Sequence, residues 1–182
     1  MAPLRNQMPP WHEHVVLANG RDVLIRPIRP ADAGPLRASF ALLTPEEVRQ
    51  RFLHTLTEMT EEMAHKLANP DPRSEFALVA AEPLPPGEAL LGAVARLAIE
   101  PGTRHAEFAI LVSRYVAGMG LGRRMMGRLV RWAKTKRLER LHGDVLDGNQ
   151  PMLALAHALG FTREHGDSPG LVRVTLDLRQ RR

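Results

Sequence analysis

The sequence predicts a mixed α/β domain, in which a mostly antiparallel central sheet of about six to seven strands is flanked by about four helices. The chain of 182 residues is long enough for one domain with a proper core. Apolar segments separated by proline and glycine turns fill its first half, as in an antiparallel meander. A strand–helix–strand unit follows this meander, so the order of elements is mixed α and β.

The first half contains the predicted meander and three helices. Residues 23–28 form a strand that prolines bring to an end. Helical spacing over 31–43, a proline-led acidic helix start at 44–47 and a helix over 60–68 come next. The following strands are predicted, between turns rich in proline and glycine, at residues 76–81, 90–99 and 105–112.

A long amphipathic helix dominates the second half. It is predicted over 121–136, with a buried stripe formed by Leu121, Met125, Leu129, Trp132 and Ala133. A strand at 141–146, a short helix at 152–159 and a strand at 171–178 close the sheet. The predicted organisation is an N-terminal extension over 1–20, a domain over 21–178 and a basic tail over 179–182.

Composition excludes several classes of protein. No segment approaches the apolar length of a membrane span, and the N-terminus lacks the apolar core of a signal peptide, so we expect a cytoplasmic protein without membrane contact. Without cysteine there is no disulfide or thiolate zinc site, and the eight histidines form no ligand cluster, so no metal is expected. A net charge of +5 favours an anionic partner.

The stretch from Ala117 to Arg124 (AGMGLGRR) has the features of a pyrophosphate site. Three glycines at every second position leave several backbone N–H groups free to face one ligand, and the following helix adds its unpaired N-terminal donors. Arg123 and Arg124 suit a bidentate contact with phosphate oxygens. The spacing fits neither a Walker A loop, which ends in Gly-Lys-Ser/Thr, nor the G-x-G-x-x-G dinucleotide fingerprint.

A second motif lies one helix and one strand downstream. The segment from Asn149 to Phe161 (NQPMLALAHALGF) resembles the Asn-started helix ending in Leu-Gly-Phe of the GNAT superfamily of N-acetyltransferases. The segments LIRPIRPAD (24–32), AEFA (106–109) and GDVL (143–146) resemble one branch, the acetyltransferase domain of bacterial protein lysine acetyltransferases. The resemblance extends over about 23–178 and implies the GNAT fold.

This resemblance implies acetyl-CoA as the co-substrate. The implied cofactor-binding residues are Leu111, Val112, Ala117, Gly118, Met119, Gly120, Leu121, Gly122, Arg123, Arg124 and Asn149. The strand that ends at Val112 is expected to splay from its neighbour and to hold the pantetheine arm with backbone groups. Two residues depart from the family pattern: Ala117 replaces a usual Gln or Arg, and Ala156 replaces the usual Tyr acid.

Glu107 is the candidate catalytic base. A lysine amine has a pKa of about 10.4, so a positioned base helps to deprotonate it at neutral pH. Glu107 is an ionisable group inside the apolar strand just before the glycines, and partial burial there is expected to raise its pKa. The resembling lysine acetyltransferases have a glutamate at the matching position.

The sequence therefore predicts an enzyme, an acetyl-CoA-dependent N-acetyltransferase that acts by direct attack of an amine, most simply a protein lysine. A small-molecule amine acceptor is one alternative. The other is a non-catalytic nucleic-acid-binding module that uses the basic stripe Arg124, Arg128, Arg131 and Lys134, although no known binding motif accompanies that stripe. A homodimer is left open.

Overall fold

The structure is a computed structural model that describes residues 9–52, 58–166 and 168–179. The first eight residues of the predicted extension and residues 180–182 of the predicted tail lie outside this part. The strands are β1 (Glu13–Val16), β2 (Asp22–Pro27), β3 (Glu75–Ala81), β4 (Leu91–Ile99), β5 (His105–Val112), β6 (Arg140–Leu146), β7 (Thr162–His165) and β8 (Leu171–Asp177). The helices are α1 (Ala33–Phe40), α2 (Pro45–Phe52), α3 (Glu61–Ala68), α4 (Leu121–Thr135) and α5 (Gln150–Ala158).

The strands form one 8-stranded sheet in the order β1-β2-β3-β4-β5-β6-β8-β7. Neighbouring strands are antiparallel except β5 and β6, which are parallel and are connected through α4. The mixed, mostly antiparallel fold is thus confirmed. The strand number exceeds the predicted six to seven because β1 and β7, each 4 residues long, were not predicted. β1 lies inside the predicted N-terminal extension and pairs with β2.

Each face of the sheet is covered by a separate hydrophobic cluster. The α4 and α5 face buries the predicted stripe of α4, and Met126 joins it. The opposite face packs against α1 and α3 through a second cluster that includes Ile28, Leu36 and Val79. Since side chains alternate along a strand, neighbouring residues of β5 point into different environments. Phe108 faces α4, whereas Glu107 and Leu111 lie on the α1–α3 face.

A buried ion pair fixes the connection from β2 to α1. Arg26 Nη1 and Nη2 donate to the two carboxylate oxygens of Asp32 at 2.7 and 2.8 Å, and both side chains are at most 3% exposed. The Arg29 amide also donates to Asp32. Such bidentate geometry offsets the desolvation of both charges, whereas removal of one partner would leave the other charge buried and unpaired. The pair therefore sets where α1 begins above the sheet.

Candidate active site

The predicted pyrophosphate stretch forms an open backbone concavity at the start of α4. Gly118 and Gly120 have φ of 75° and 83°, left-handed values that glycine adopts without strain. Gly120 is the N-cap of α4, and the Arg124 amide donates to its carbonyl at 3.1 Å. Among the described residues, no acceptor pairs with the amides of residues 118–123. Six unpaired donors at the positive end of a helix of 15 residues suit an anionic ligand.

The third glycine has a packing role. A Cβ on Gly122 would lie 3.2 Å from Leu155 of α5 and 3.8 Å from Val112 of β5. Its absence lets the first turn of α4 approach both elements closely. Leu121 is 2% exposed and its side chain belongs to the core, so only its backbone faces the concavity.

The two arginines at the start of α4 have different surroundings. Arg123 is exposed. Arg124 Nη1 lies 2.5 Å from Glu13 Oε1 of β1, and Arg128 contacts the other oxygen of the same carboxylate. The side chain of Arg124 is thus engaged by a residue 111 positions away, a contact that the local motif gives no sign of. Burial, and then the charge of Arg131, lower the pKa of Arg128.

The parallel strands β5 and β6 separate beside this concavity, as predicted. Their paired rows comprise His105–Arg140, Ala106–Leu141 and Glu107–His142 only, so β5 from Phe108 onward is unpaired on its β6 side. The ring of Phe108 lies over Gly143 of β6. A Cβ on Gly143 would lie 2.5 Å from this ring. The backbone groups of residues 108–112 that face β6, rather than the paired strand β4, are therefore available to a chain that enters between the strands.

Glu107 is exposed, contrary to the partial burial expected from its apolar strand. The reason is its position at the last paired row, where β4 contributes only Ala98 and the residues that follow are those of the opening. His142 is its partner on β6; it is 7% exposed, and its Nε2 lies 2.6 Å from Glu100 Oε1. Glu107 is thus a solvent-accessible carboxylate at the entrance to the gap between β5 and β6.

The remaining predicted positions lie around the same gap. Asn149 caps α5, accepting from the Met152 amide at 3.3 Å, and no described residue bonds to its side-chain NH₂ group. Ala117 is exposed before the first glycine. Ala156, in contrast, is 1% exposed and packs in the core.

The sequence reasoning missed a cavity on the opposite face. It has a volume of about 710 Å³ and lies between the sheet and α1, α2 and α3, with Leu111 in its wall. Arg96 of β4 also lines it and is only 8% exposed. The sequence signal for Arg96 is the same as for Glu107, because each is a single charged residue within an apolar strand. The described residues that line the cavity do not include Glu107.

The structure combines a parallel pair of strands that separate with a glycine-rich helix start beside the opening. This combination is typical of acyl-CoA-binding transferases. The family of the acetyltransferase (GNAT) domain matches residues 22–162. The chain belongs to this family, and it is an acyl-CoA-dependent N-acetyltransferase that acts on an amine. Within the described residues, no three His, Cys, Asp or Glu side chains form a metal site, and no helix is long and apolar enough to cross a membrane.

Solved structures share the fold at low sequence identity. The GNAT domain of S. lividans PAT is 23% identical, with a TM-score of 0.79 over 94% of this chain and 99% of that one. A ribosomal-protein-alanine N-acetyltransferase from Brucella melitensis is 22% identical, with a TM-score of 0.65 over 84% and 98%. The cAMP-binding acyltransferase from Mycobacterium smegmatis is 23% identical, with a TM-score of 0.62; 93% of this chain matches 48% of that protein.

Proposed function

We propose that this enzyme transfers the acetyl group of acetyl-CoA to the side-chain amine of a protein lysine. The observation that carries the proposal is the continuity of the unpaired amides at residues 118–123 with the gap between β5 and β6. The first feature suits a pyrophosphate, and the second suits an extended arm that hydrogen-bonds to a strand. A coenzyme that carries both parts in this order is coenzyme A.

In this proposal the donor-binding residues act largely through their backbone. The amides from Gly118 to Arg123 bind the pyrophosphate, and Arg123 adds an exposed cation. The unpaired edge of β5 at Leu111 and Val112 binds the pantetheine arm, and one of its N–H groups stabilises the oxyanion. Asn149 contributes its free NH₂ group. Arg124 contributes to pyrophosphate binding only if its side chain breaks the ion pair with Glu13.

Glu107 acts as the base for the acceptor. Its carboxylate removes one proton from the lysine ammonium, and the nitrogen lone pair then forms the new bond to the thioester carbonyl carbon. The carbon–sulfur bond breaks, and its electron pair goes to sulfur. The thiolate takes the second amine proton, and Glu107 releases the first to solvent. A thiol pKa of about 8.5 lets the thiolate leave without an acid at position 156.

A macromolecular acceptor is supported by the exposure of Glu107 at the entrance of the gap. A long lysine side chain can reach such an open position while its own protein stays outside. Among proteins of this fold, the Brucella melitensis enzyme is named as a ribosomal-protein-alanine N-acetyltransferase, so its acceptor is a protein. A nucleic-acid surface is less well supported because Glu13 neutralises part of the basic stripe at Arg124 and Arg128.

The donor site is tested by calorimetric titration of acetyl-CoA into the wild type and Gly120→Glu. The Cβ at Gly120 meets open space, so the new carboxylate reaches the concavity and repels the pyrophosphate. We expect binding to weaken roughly a hundredfold or more. Gly20→Glu is the matched control, since Gly20 has the same φ of 83° and open surroundings but lies in the β1–β2 turn. Equal binding by both variants, or no binding by the wild type, would refute the donor site.

The acceptor class needs a second assay with acetyl-CoA as donor. The substrates are a lysine peptide with a blocked N-terminus, the same peptide with arginine in place of lysine, and spermidine. The proposal is supported if the lysine peptide is acetylated and the arginine peptide and spermidine are not. Preferential acetylation of spermidine would instead assign a small-molecule amine as the acceptor.

A further inference from the structure

The cavity between the sheet and α1–α3 has an apolar entrance. Leu42, Leu90 and Tyr115 line it and are 65%, 62% and 57% exposed, so they surround its opening. Leu36, Phe40 and Val94 extend the apolar wall inward. A volume of about 710 Å³ is in the range of cavities that hold a small organic ligand. The lining therefore favours a ligand with an apolar body.

Arg96 places a cation in the wall of this cavity. Its Nη2 donates to the carbonyl of Leu67 at the end of α3, while Nε is buried without a partner. No hydrogen bond from Nη1 to a described residue is found. Burial lowers the pKa of the guanidinium, and the Glu75 carboxylate opposes this effect without being bonded to it. A buried cation held by a single carbonyl is incompletely compensated.

The carboxylates that line the cavity have partners other than Arg96, in the part of the chain that the structure describes. Glu47 binds Arg114 at 2.9 Å, and Glu82 accepts from the Leu90 amide at 2.8 Å. Asp22 lies 3.4 Å from His14. Among the described lining residues, Arg96 is the buried charge that has no ion-pair partner.

We propose that this cavity is a second ligand site, on the opposite face of the sheet from the pyrophosphate concavity, which binds a small amphipathic carboxylate. The carboxylate accepts a hydrogen bond from Nη1 of Arg96, and the aliphatic body lies along the apolar wall toward Leu42 and Leu90. The site does not use the amides of residues 118–123. Its failure and the failure of the donor site are therefore distinguishable.

The test is a calorimetric titration of the whole chain with decanoate. Decyltrimethylammonium and decanol, which share the aliphatic body, are the charge-reversed and neutral probes. We expect decanoate to bind the wild type, and Arg96→Gln to weaken this binding by roughly 10- to 100-fold, the loss of a charge-assisted contact. Arg21→Gln is the matched control, because Arg21 also lines the cavity but is exposed.

Two further measurements separate loss of the site from loss of the fold. Arg96→Gln should still bind acetyl-CoA with wild-type affinity. Val94→Phe, which fills the cavity without touching the guanidinium charge, should also weaken decanoate binding. The proposal is overturned if decanoate does not bind, if the three probes bind equally well, or if decanoate binds Arg96→Gln as tightly as the wild type.

Discussion

In the proposed mechanism, Glu107 is the base that deprotonates the acceptor amine. We expect Glu107→Gln to lower kcat/KM for a lysine peptide roughly 10²- to 10⁴-fold, because the amide cannot accept the ammonium proton. The dissociation constant of acetyl-CoA should not change, since the substitution lies outside the donor concavity. Steady-state kinetics and calorimetry measure the two quantities.

Glu75 supplies the matched control for this prediction. It lies on the same face two strands away, with Ala98 of β4 between the two glutamates in one cross-strand row. Glu75→Gln should leave kcat/KM within a few-fold of the wild type. If Glu75→Gln loses as much activity as Glu107→Gln, the loss reflects the charge of this face rather than a base at residue 107.

Single residues show where sequence reasoning succeeds and where it stops. The sequence shows that Glu107 is a carboxylate within an apolar strand. Its exposure, however, depends on where the pairing of β5 with β6 ends. The same pattern at Arg96 gives no sign that α3 covers the guanidinium. The contact of Arg124 with Glu13 joins residues 111 positions apart, so no local motif contains it. Burial and long-range pairing are properties of the folded chain.

At the scale of elements, the gap between β5 and β6 depends on one close contact. A methyl group at Gly143 would lie 2.5 Å from the Phe108 ring, which is buried and packs edge-on against Phe161 at a centroid distance of 5.4 Å. Gly143→Ala should therefore lower the free energy of unfolding by about 1–3 kcal/mol, the usual effect of an overpacked core. Urea denaturation measures this change.

The control for this substitution is Gly148→Ala. Gly148 has open surroundings and no left-handed φ, so the same added methyl group meets no atom. Its free energy of unfolding should stay within about 0.5 kcal/mol of the wild type. Equal stability of the two variants would mean that the Phe108 ring moves aside freely and does not set the spacing of the strands.

Elements with a strong internal pattern could be predicted from the sequence, and elements without one could not. The stripe of α4 repeats at helical spacing, and the structure buries all five predicted residues. β7 (TREH) has four exposed residues and no apolar alternation, so its strand conformation comes from pairing with β8. β1 likewise owes its structure to pairing with β2. Short edge strands are stabilised by neighbours that a local pattern does not specify.

At the scale of the whole molecule, the sheet separates two chemical environments. The α4 side carries the donor concavity, and the α1–α3 side carries Glu107 and the Arg96 cavity. β5 connects them, because its alternating residues Leu111 and Val112 belong to opposite faces. A substrate held along the edge of β5 is thus accessible to groups on the other side. In the proposed reaction, this arrangement lets donor and acceptor approach from different directions.

This separation predicts how the chain responds to the donor. A ligand that binds only the folded state at about 100 times its dissociation constant raises the free energy of unfolding by about 2.7 kcal/mol, so saturating acetyl-CoA should raise the melting temperature of the wild type but not of Gly120→Glu. In hydrogen exchange, protection should be gained by the amides of residues 118–123, which lack partners in the described structure, and by those amides of residues 108–112 that face β6 rather than the paired strand β4. The hydrogen-exchange protection of amides in α1 and α3 should change only as far as the global stability of the protein changes. Protection confined to the basic surface of α4 around Arg131 would mean that the coenzyme binds by charge alone, without entering the gap between β5 and β6.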